Sequence, residues 1–174
     1  MAKHENIVSL SDVAVEELKG PAGSPFGGKR LRVGAAVGAA KLGYSVFAVP
    51  PGKAAFPFHT HYTNEEMIYI FEGAGLLRIG AEEVPVSSGT FIAFPAGAEK
   101  PHQLINTGGH ELKYLCVSTM VYPDITEYPD AKKIGALTCA PGGATLRAFY
   151  RRGDDVPYYE GENAGEVKRL TAKK

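Results

Sequence analysis

Cysteine, net charge and long apolar runs are scarce in this sequence, and each scarcity removes a class of protein. The 174 residues include two cysteines, Cys116 and Cys139, whose separation fits neither a metal-binding nor a redox pair and builds no disulfide framework. Nineteen basic and nineteen acidic side chains cancel, so no electrostatic argument favours nucleic acid or an anionic membrane as partner. No run approaches the roughly 18 apolar residues of a membrane-spanning helix. The opening MAKHENIVSL has no basic segment leading into an apolar one, unlike a secretory signal. The expectation is a cytoplasmic, soluble protein, and the length suits one domain able to bury a core without staples.

Helical signals are scarce too. Twenty-one glycines and twelve prolines are many for helices and ordinary for short strands joined by tight turns. Residues 1–40 read as an N-terminal extension. Within it SDVAVEELKG offers one short helix, with Ser11 or Asp12 as N-cap and Gly20 as stop. A single short helix is too little for a helix-turn-helix reader of DNA. Over residues 41–122 the segments YSVFAV, MIYIFEG, LLRIG, EEVPV, TFIAFPAG, HQLIN and LKYLCVSTMV alternate with turn signals. That spacing predicts an all-β sandwich or barrel. Beyond Tyr122 the pattern weakens. YPDITEYPDAKK is polar and turn-rich, GATLRAFYRR reads as one more strand, and the remainder is irregular. Residues 123–174 are therefore expected to be a C-terminal extension packed on the barrel or on a partner subunit.

What the sequence does have is HTHYTNEE. His59 and His61 lie two apart, so on a strand they project from one face and can share an ion at roughly 2.0–2.2 Å. A glutamate five residues beyond His61 cannot share that face on an unbroken strand, and Tyr62, Thr63 and Asn64 supply the interruption. On the next strand Glu66 shares a face with Ile68 and Ile70, and Glu65 with Met67, Tyr69 and Phe71. Only one of the two glutamates can point inward, and parity leaves the choice open. Thirty-six residues after Glu66 comes His102. Three imidazoles and one carboxylate form a borderline donor set suited to one divalent transition metal: Fe, Mn, Ni, Co or Zn.

Two spacings make the pattern specific. The first runs Gly52, six residues, His59-x-His61, four residues, Glu66, six residues, Gly73. The second runs Gly89, five residues, Pro95-x-Gly97, four residues, His102, three residues, Asn106, with fifteen residues between the two. This pair resembles the two motifs of the cupin superfamily, with one extra residue before His59 and two before His102, both in loops. The chain as a whole resembles small single-domain conserved-barrel bacterial cupins, many of which carry a sugar-phosphate isomerase-like label. The resemblance implies an all-β double-stranded β-helix (a cupin or jelly-roll barrel) with N- and C-terminal extensions. It also implies His59, His61, Glu66 and His102 as metal ligands, with Glu65 outside the shell.

Cupins with this ligand set include dioxygenases, isomerases, decarboxylases and lyases, as well as plain binding proteins, and the fold does not choose among them. The expectation is a metal-dependent enzyme acting on a small organic molecule. The alternative is a non-catalytic cupin that binds or senses a small ligand around a structural or vestigial metal. Residues near the ligands that can assist chemistry are Tyr44, Lys53, Tyr62, Asn64, Tyr69, Arg78, Lys100 and Gln103. Of these, Tyr69, Arg78, Lys100 and Gln103 are the catalytic candidates, although Tyr69 and Gln103 alternate away from Glu66 and His102. Arg78, at an alternating position after GLL, is a candidate to enter the barrel as an anchor for an anion. Ile68, Ile70, Ile92, Phe94 and Leu104 would line an apolar interior suited to a small organic acid or aromatic molecule. Cys116 reads as a small core residue. Because MIYIF is apolar on both faces, a homodimer is the economical cover for its outer side.

Overall fold

The structure is a computed structural model that describes residues 4–139 and 145–172. Thirteen strands run in chain order: β1 Val15–Lys19, β2 Gly27–Leu31, β3 Leu42–Val49, β4 Thr60–His61, β5 Glu66–Glu72, β6 Ala74–Ile79, β7 Glu82–Ser87, β8 Phe91–Phe94, β9 His102–Ile105, β10 Leu112–Thr119, β11 Asp124–Tyr128, β12 Lys133–Cys139 and β13 Thr145–Arg151. Two α-helices, α1 Val33–Ala36 and α2 Ala164–Thr171, and two 3-10 turns, Leu10–Asp12 and Pro129–Ala131, complete the regular structure of the described residues. The architecture is all-β, of the jelly-roll type.

Three sheets form: β1-β2-β3-β10-β5-β8, β13-β12-β11-β4 and β7-β6-β9. Alternation along the strands dictates the core. Phe47 and Val49 from β3, Ile68 and Ile70 from β5, and Leu112 and Tyr114 from β10 turn to one side. They meet Leu77, Val86 and Leu104 from the small sheet. Phe94 joins them, and Ile92 packs against the cluster from its edge. The strands around the two motifs therefore read as expected.

The N-terminal helix does not. After a 3-10 turn at Leu10–Asp12, VEELK is a strand paired antiparallel with β2. Its burial alternates, with Glu16 and Leu18 inward of their neighbours, and Leu18 reaches the core cluster. Glu16 stands opposite Arg30 in the register and accepts from its guanidinium at 2.6 Å. A period-two face with a cross-strand ion pair outweighs the helix propensity of Glu, Leu and Lys.

The segment after Pro123, expected to be turn-rich, is largely strand: all of β11 pairs with Lys133 to Leu137 of β12. Gly143 and Ala144, the start of the last expected strand, lie outside the described residues, and β13 begins at Thr145. The tail is not wholly irregular either. The Asn163 side chain accepts from the Glu166 amide at 3.0 Å and caps α2. No described helix is long and apolar enough to cross a membrane.

Candidate metal centre

Backbone pairing assembles the histidines. His59 and His102 form an isolated antiparallel bridge, with His59 N–H donating to the His102 carbonyl at 3.1 Å and the reverse bond at 2.7 Å. Their rings consequently lie side by side, centroids 4.7 Å apart, and the His61 ring is 5.2 Å from that of His59. β4 holds His61 against Thr126 of β11.

The interruption between His61 and Glu66 is held at two points. Asn64 is buried; its carboxamide accepts from Val121 N–H and Thr119 Oγ1–H and donates to the Val121 carbonyl. Asp124 accepts from the Thr63 amide at 3.1 Å. Strand phase resets here, and Glu66 rather than Glu65 faces the histidines. Its Oε2 lies 3.3 Å from His102 Nε2 and its Oε1 3.8 Å from His61 Nε2.

Hydrogen bonds on the far side of two rings decide what they present to this space. His59 Nδ1 is 2.8 Å from the Pro57 carbonyl, which can only accept, so Nδ1 carries the hydrogen. His61 Nδ1 is 2.6 Å from Asp124 Oδ2 and donates to that carboxylate. In its neutral form a ring held this way presents its Nε2 lone pair, the arrangement a metal ligand requires. His102 differs. Its ring stacks on Phe94 at 3.6 Å, and its buried Nδ1 has no hydrogen-bond partner.

Electrostatics match this chemistry. Burial, then the neighbouring His102, pushes the His59 imidazole down to about 4, so it is neutral at pH 7. Burial alone would raise the Glu66 carboxyl. The hydrogen bond from His102 and the imidazoles of His61 and His59 outweigh it and hold Glu66 below the usual carboxylate range. A neutral imidazole beside an ionised carboxylate is the protonation state that metal coordination needs.

Donor atoms of His59, His61 and Glu66 all lie within 4.8 Å of one another, and these residues can hold a metal ion. Two donors each about 2.1 Å from one ion can be at most ~4.2 Å apart. Three donors of one ion sit closer still, about 3.0–3.6 Å apart, so these side chains must close by up to ~1–2 Å to seat one. His102 lies at the same centre but outside that three-residue group.

Metal-free protein carries the imprint of this burial. His59 is neutral in the fold down to about pH 4 and titrates near 6.5 when exposed. Between those values the unfolded chain binds the extra proton, so stability is fully present above about 6.5 and declines as pH falls toward 4. Glu66 acts in the same direction in a lower window, below its ordinary value of 4.5. Thermal melts of metal-free protein are expected to fall from pH 7 to pH 5, and His59→Asn is expected to flatten the decline. A wild-type melting temperature constant over that interval would contradict this.

A cavity of about 250 Å³ opens onto the centre, walled by Phe56, Ile68, Leu104 and Leu137. A second, of about 380 Å³, reaches His61 and Glu66 from the side of Arg30, Arg32 and Tyr44. Cys116 lines both, and burial raises its thiol far above the ordinary range, leaving it an inert protonated wall residue.

The remaining sequence candidates stand elsewhere. Tyr69 stacks on Phe91, ring centres 4.3 Å apart, on the opposite face of β5. Lys100 is exposed in the loop before β9. Arg78 donates to Asp130 and Gln103 and lies 4.2 Å over the Phe58 ring. Gln103 is buried at the cavity wall, but its amide is committed to the Phe56 carbonyl and Arg78. Sequence reasoning missed Asp124, Thr126 and Tyr128, which β11 turns toward the centre at alternate positions.

Comparison with known proteins agrees with this geometry. Residues 45–118 match the family model described as Cupin domain. Over those residues the chain is similar to cupin domains. Over 74 residues it is 40% identical to an uncharacterized protein of Methanocaldococcus jannaschii. The match covers 42% of this chain, which spans 57% of the length of that curated relative. Among solved structures, a putative sugar phosphate isomerase from Acidithiobacillus ferrooxidans aligns with a TM-score of 0.72 at 23% identity, over 83% of this chain and 92% of the other. A cupin-superfamily sugar phosphate isomerase from Silicibacter pomeroyi aligns with a TM-score of 0.72 at 24% identity, over 87% and 97%. At these identities the structural likeness establishes the cupin fold and not a shared reaction.

Proposed function

We propose that this protein is a metal-dependent cupin enzyme acting on a small organic molecule, with His59, His61, Glu66 and His102 as ligands of one divalent transition metal. One observation carries the reading. The Nδ1 hydrogens of His59 and His61 are both engaged, so two Nε2 lone pairs converge with an ionised Glu66 at the end of an apolar cavity of about 250 Å³. Such a cavity admits a small molecule beside the centre. A bound iron, manganese, nickel, cobalt or zinc ion would supply Lewis acidity there, and iron or manganese would add oxygen chemistry. The chain's own part is to hold the donors neutral and aimed, exclude water with Ile68, Leu104 and Leu137, and keep Glu66 ionised.

The test loads purified protein with each metal and screens small organic acids for oxygen uptake, isomerisation and cleavage. Turnover that disappears in Glu66→Gln supports the enzyme reading. Stoichiometric ligand binding without turnover under every metal would replace it with a non-catalytic binding protein.

The same reading includes a soluble homodimer. On the outer face of the large sheet, Val46, Leu115, Tyr69 and Phe91 stand in one row across β3, β10, β5 and β8. Phe91 is 70% exposed, a large cost for an aromatic ring facing water. A second copy laid on this row covers it. By light scattering, wild type is expected at twice the chain mass and Phe91→Asp at the single mass. A monomeric wild type would contradict the dimer.

A further inference from the structure

Arg147 lies on β13, the edge strand of the four-stranded sheet, and lines the cavity that holds the metal centre. Elsewhere, Arg30 and Arg32 share Glu16, Arg78 holds Asp130 and Arg152 holds Glu127. Among the described residues, Arg147 pairs with no carboxylate. Its guanidinium lies 5.5 Å from the Phe149 ring centre, a contact that leaves its hydrogen-bond donors free.

Tyr128 reaches the same cavity from β11. Its ring stacks with that of His59 at 6.0 Å, and its hydroxyl has no hydrogen-bond partner among the described residues. Burial raises that hydroxyl above its ordinary value against the opposing influence of Arg147, so at neutral pH it keeps its proton and can donate. Lys133 places its ammonium 5.0 Å from the Tyr128 ring centre and adds a second positive charge beside it. The cavity thus brings an uncommitted cation and a free hydroxyl into one space with the metal centre and the apolar side chains of Ile68, Leu104 and Leu137.

We propose that Arg147 and the Tyr128 hydroxyl form an anion-binding site in this cavity, and that its ligand is a small organic carboxylate whose body points along the apolar walls toward the metal centre. The orientation rests on the metal-centre reading above; the anion site stands on Arg147 and Tyr128. A carboxylate offers two coplanar oxygens that match the guanidinium fork, with the hydroxyl as a third donor. A sugar phosphate would bring several hydroxyls into a wall of Ile68, Leu104 and Leu137 that can satisfy none of them. Gln103, the remaining amide on the wall, is already committed. Arg78, the anchor expected from sequence, is neutralised by Asp130.

The experiment is calorimetric titration of metal-free and cobalt-loaded protein with benzoate, its neutral isostere benzamide, and phenylphosphonate. Cobalt uptake is followed separately by visible absorption. Benzoate is expected to bind at least ~10-fold more tightly than benzamide. Arg147→Gln should weaken benzoate by about 10–100-fold and leave benzamide unchanged, with Arg147→Lys between. Equal benzoate affinity in wild type and Arg147→Gln would overturn the site, and so would absence of benzoate binding to wild type. Tighter binding of phenylphosphonate would overturn the carboxylate assignment. Cobalt uptake should be the same in wild type and Arg147→Gln. If wild type takes up no cobalt yet binds benzoate through Arg147, the metal reading fails and the anion site stands.

Discussion

Replacing Asp124 with asparagine is expected to weaken metal binding by about 10–100-fold while the protein stays folded. Asp124 is 2% exposed and stands behind the His61 ring. Its effect runs through His61, whose Nδ1–H it accepts at 2.6 Å. That bond fixes which nitrogen carries the hydrogen, holds the ring plane, and makes Nε2 a better donor. Asparagine keeps the shape and one acceptor, and can still receive the Thr63 amide, so the turn after His61 survives. The negative charge behind the imidazole is lost. Chelator competition on wild type and variant measures the change directly, and equal affinities would show that Asp124 only braces the turn.

Asn106→Ala is expected to lower stability by about 3 kcal/mol, with little direct effect on the metal ligands. The side chain is completely buried. Its Nδ2 donates to the Val49 carbonyl at 2.7 Å and the His110 carbonyl at 2.8 Å, and its Oδ1 accepts from the Gly108 amide at 3.0 Å. It thereby joins the end of β3 to the turn between β9 and β10. Alanine leaves all three backbone groups short of a partner as well as opening a void. Asn106→Asp offers no relief, because it sets carboxylate oxygens against two carbonyls. Chemical denaturation measures the loss, and a midpoint within experimental scatter of wild type would contradict it.

Both residues also show what was legible in the sequence. Asn106 closes the second motif, and its fixed distance from His102 could be read before its hydrogen bonds were known. The central strands were legible because Ile68, Ile70, Phe94 and Leu104 recur at period two between turn residues. Asp124 was not. In DITEY the alternation is present but inverted: Asp124, Thr126 and Tyr128 face inward while Ile125 and Glu127 face out. A strand that lines a polar centre puts its polar residues inside, so a search for alternating apolar residues takes it for a turn. VEELK failed for a related reason, since its partner Arg30 is fourteen residues away and helix propensity sees only near neighbours.

The anion anchor illustrates a third limit. Arg78 and Arg147 are both arginines on strands with alternating neighbours, and nothing local separates them. What separates them is a long-range contact: Asp130 reaches Arg78, and Arg147 has no such partner among the described residues. The charge available to a ligand depends on which cations the fold leaves unpaired.

If His59, His61, Glu66 and His102 hold one metal ion, elemental analysis of purified protein beside His59→Ala and His102→Ala reveals it. The wild-type chain is expected to carry close to one equivalent of a divalent transition metal, and both variants to lose nearly all of it. Equal metal content in all three proteins would contradict it.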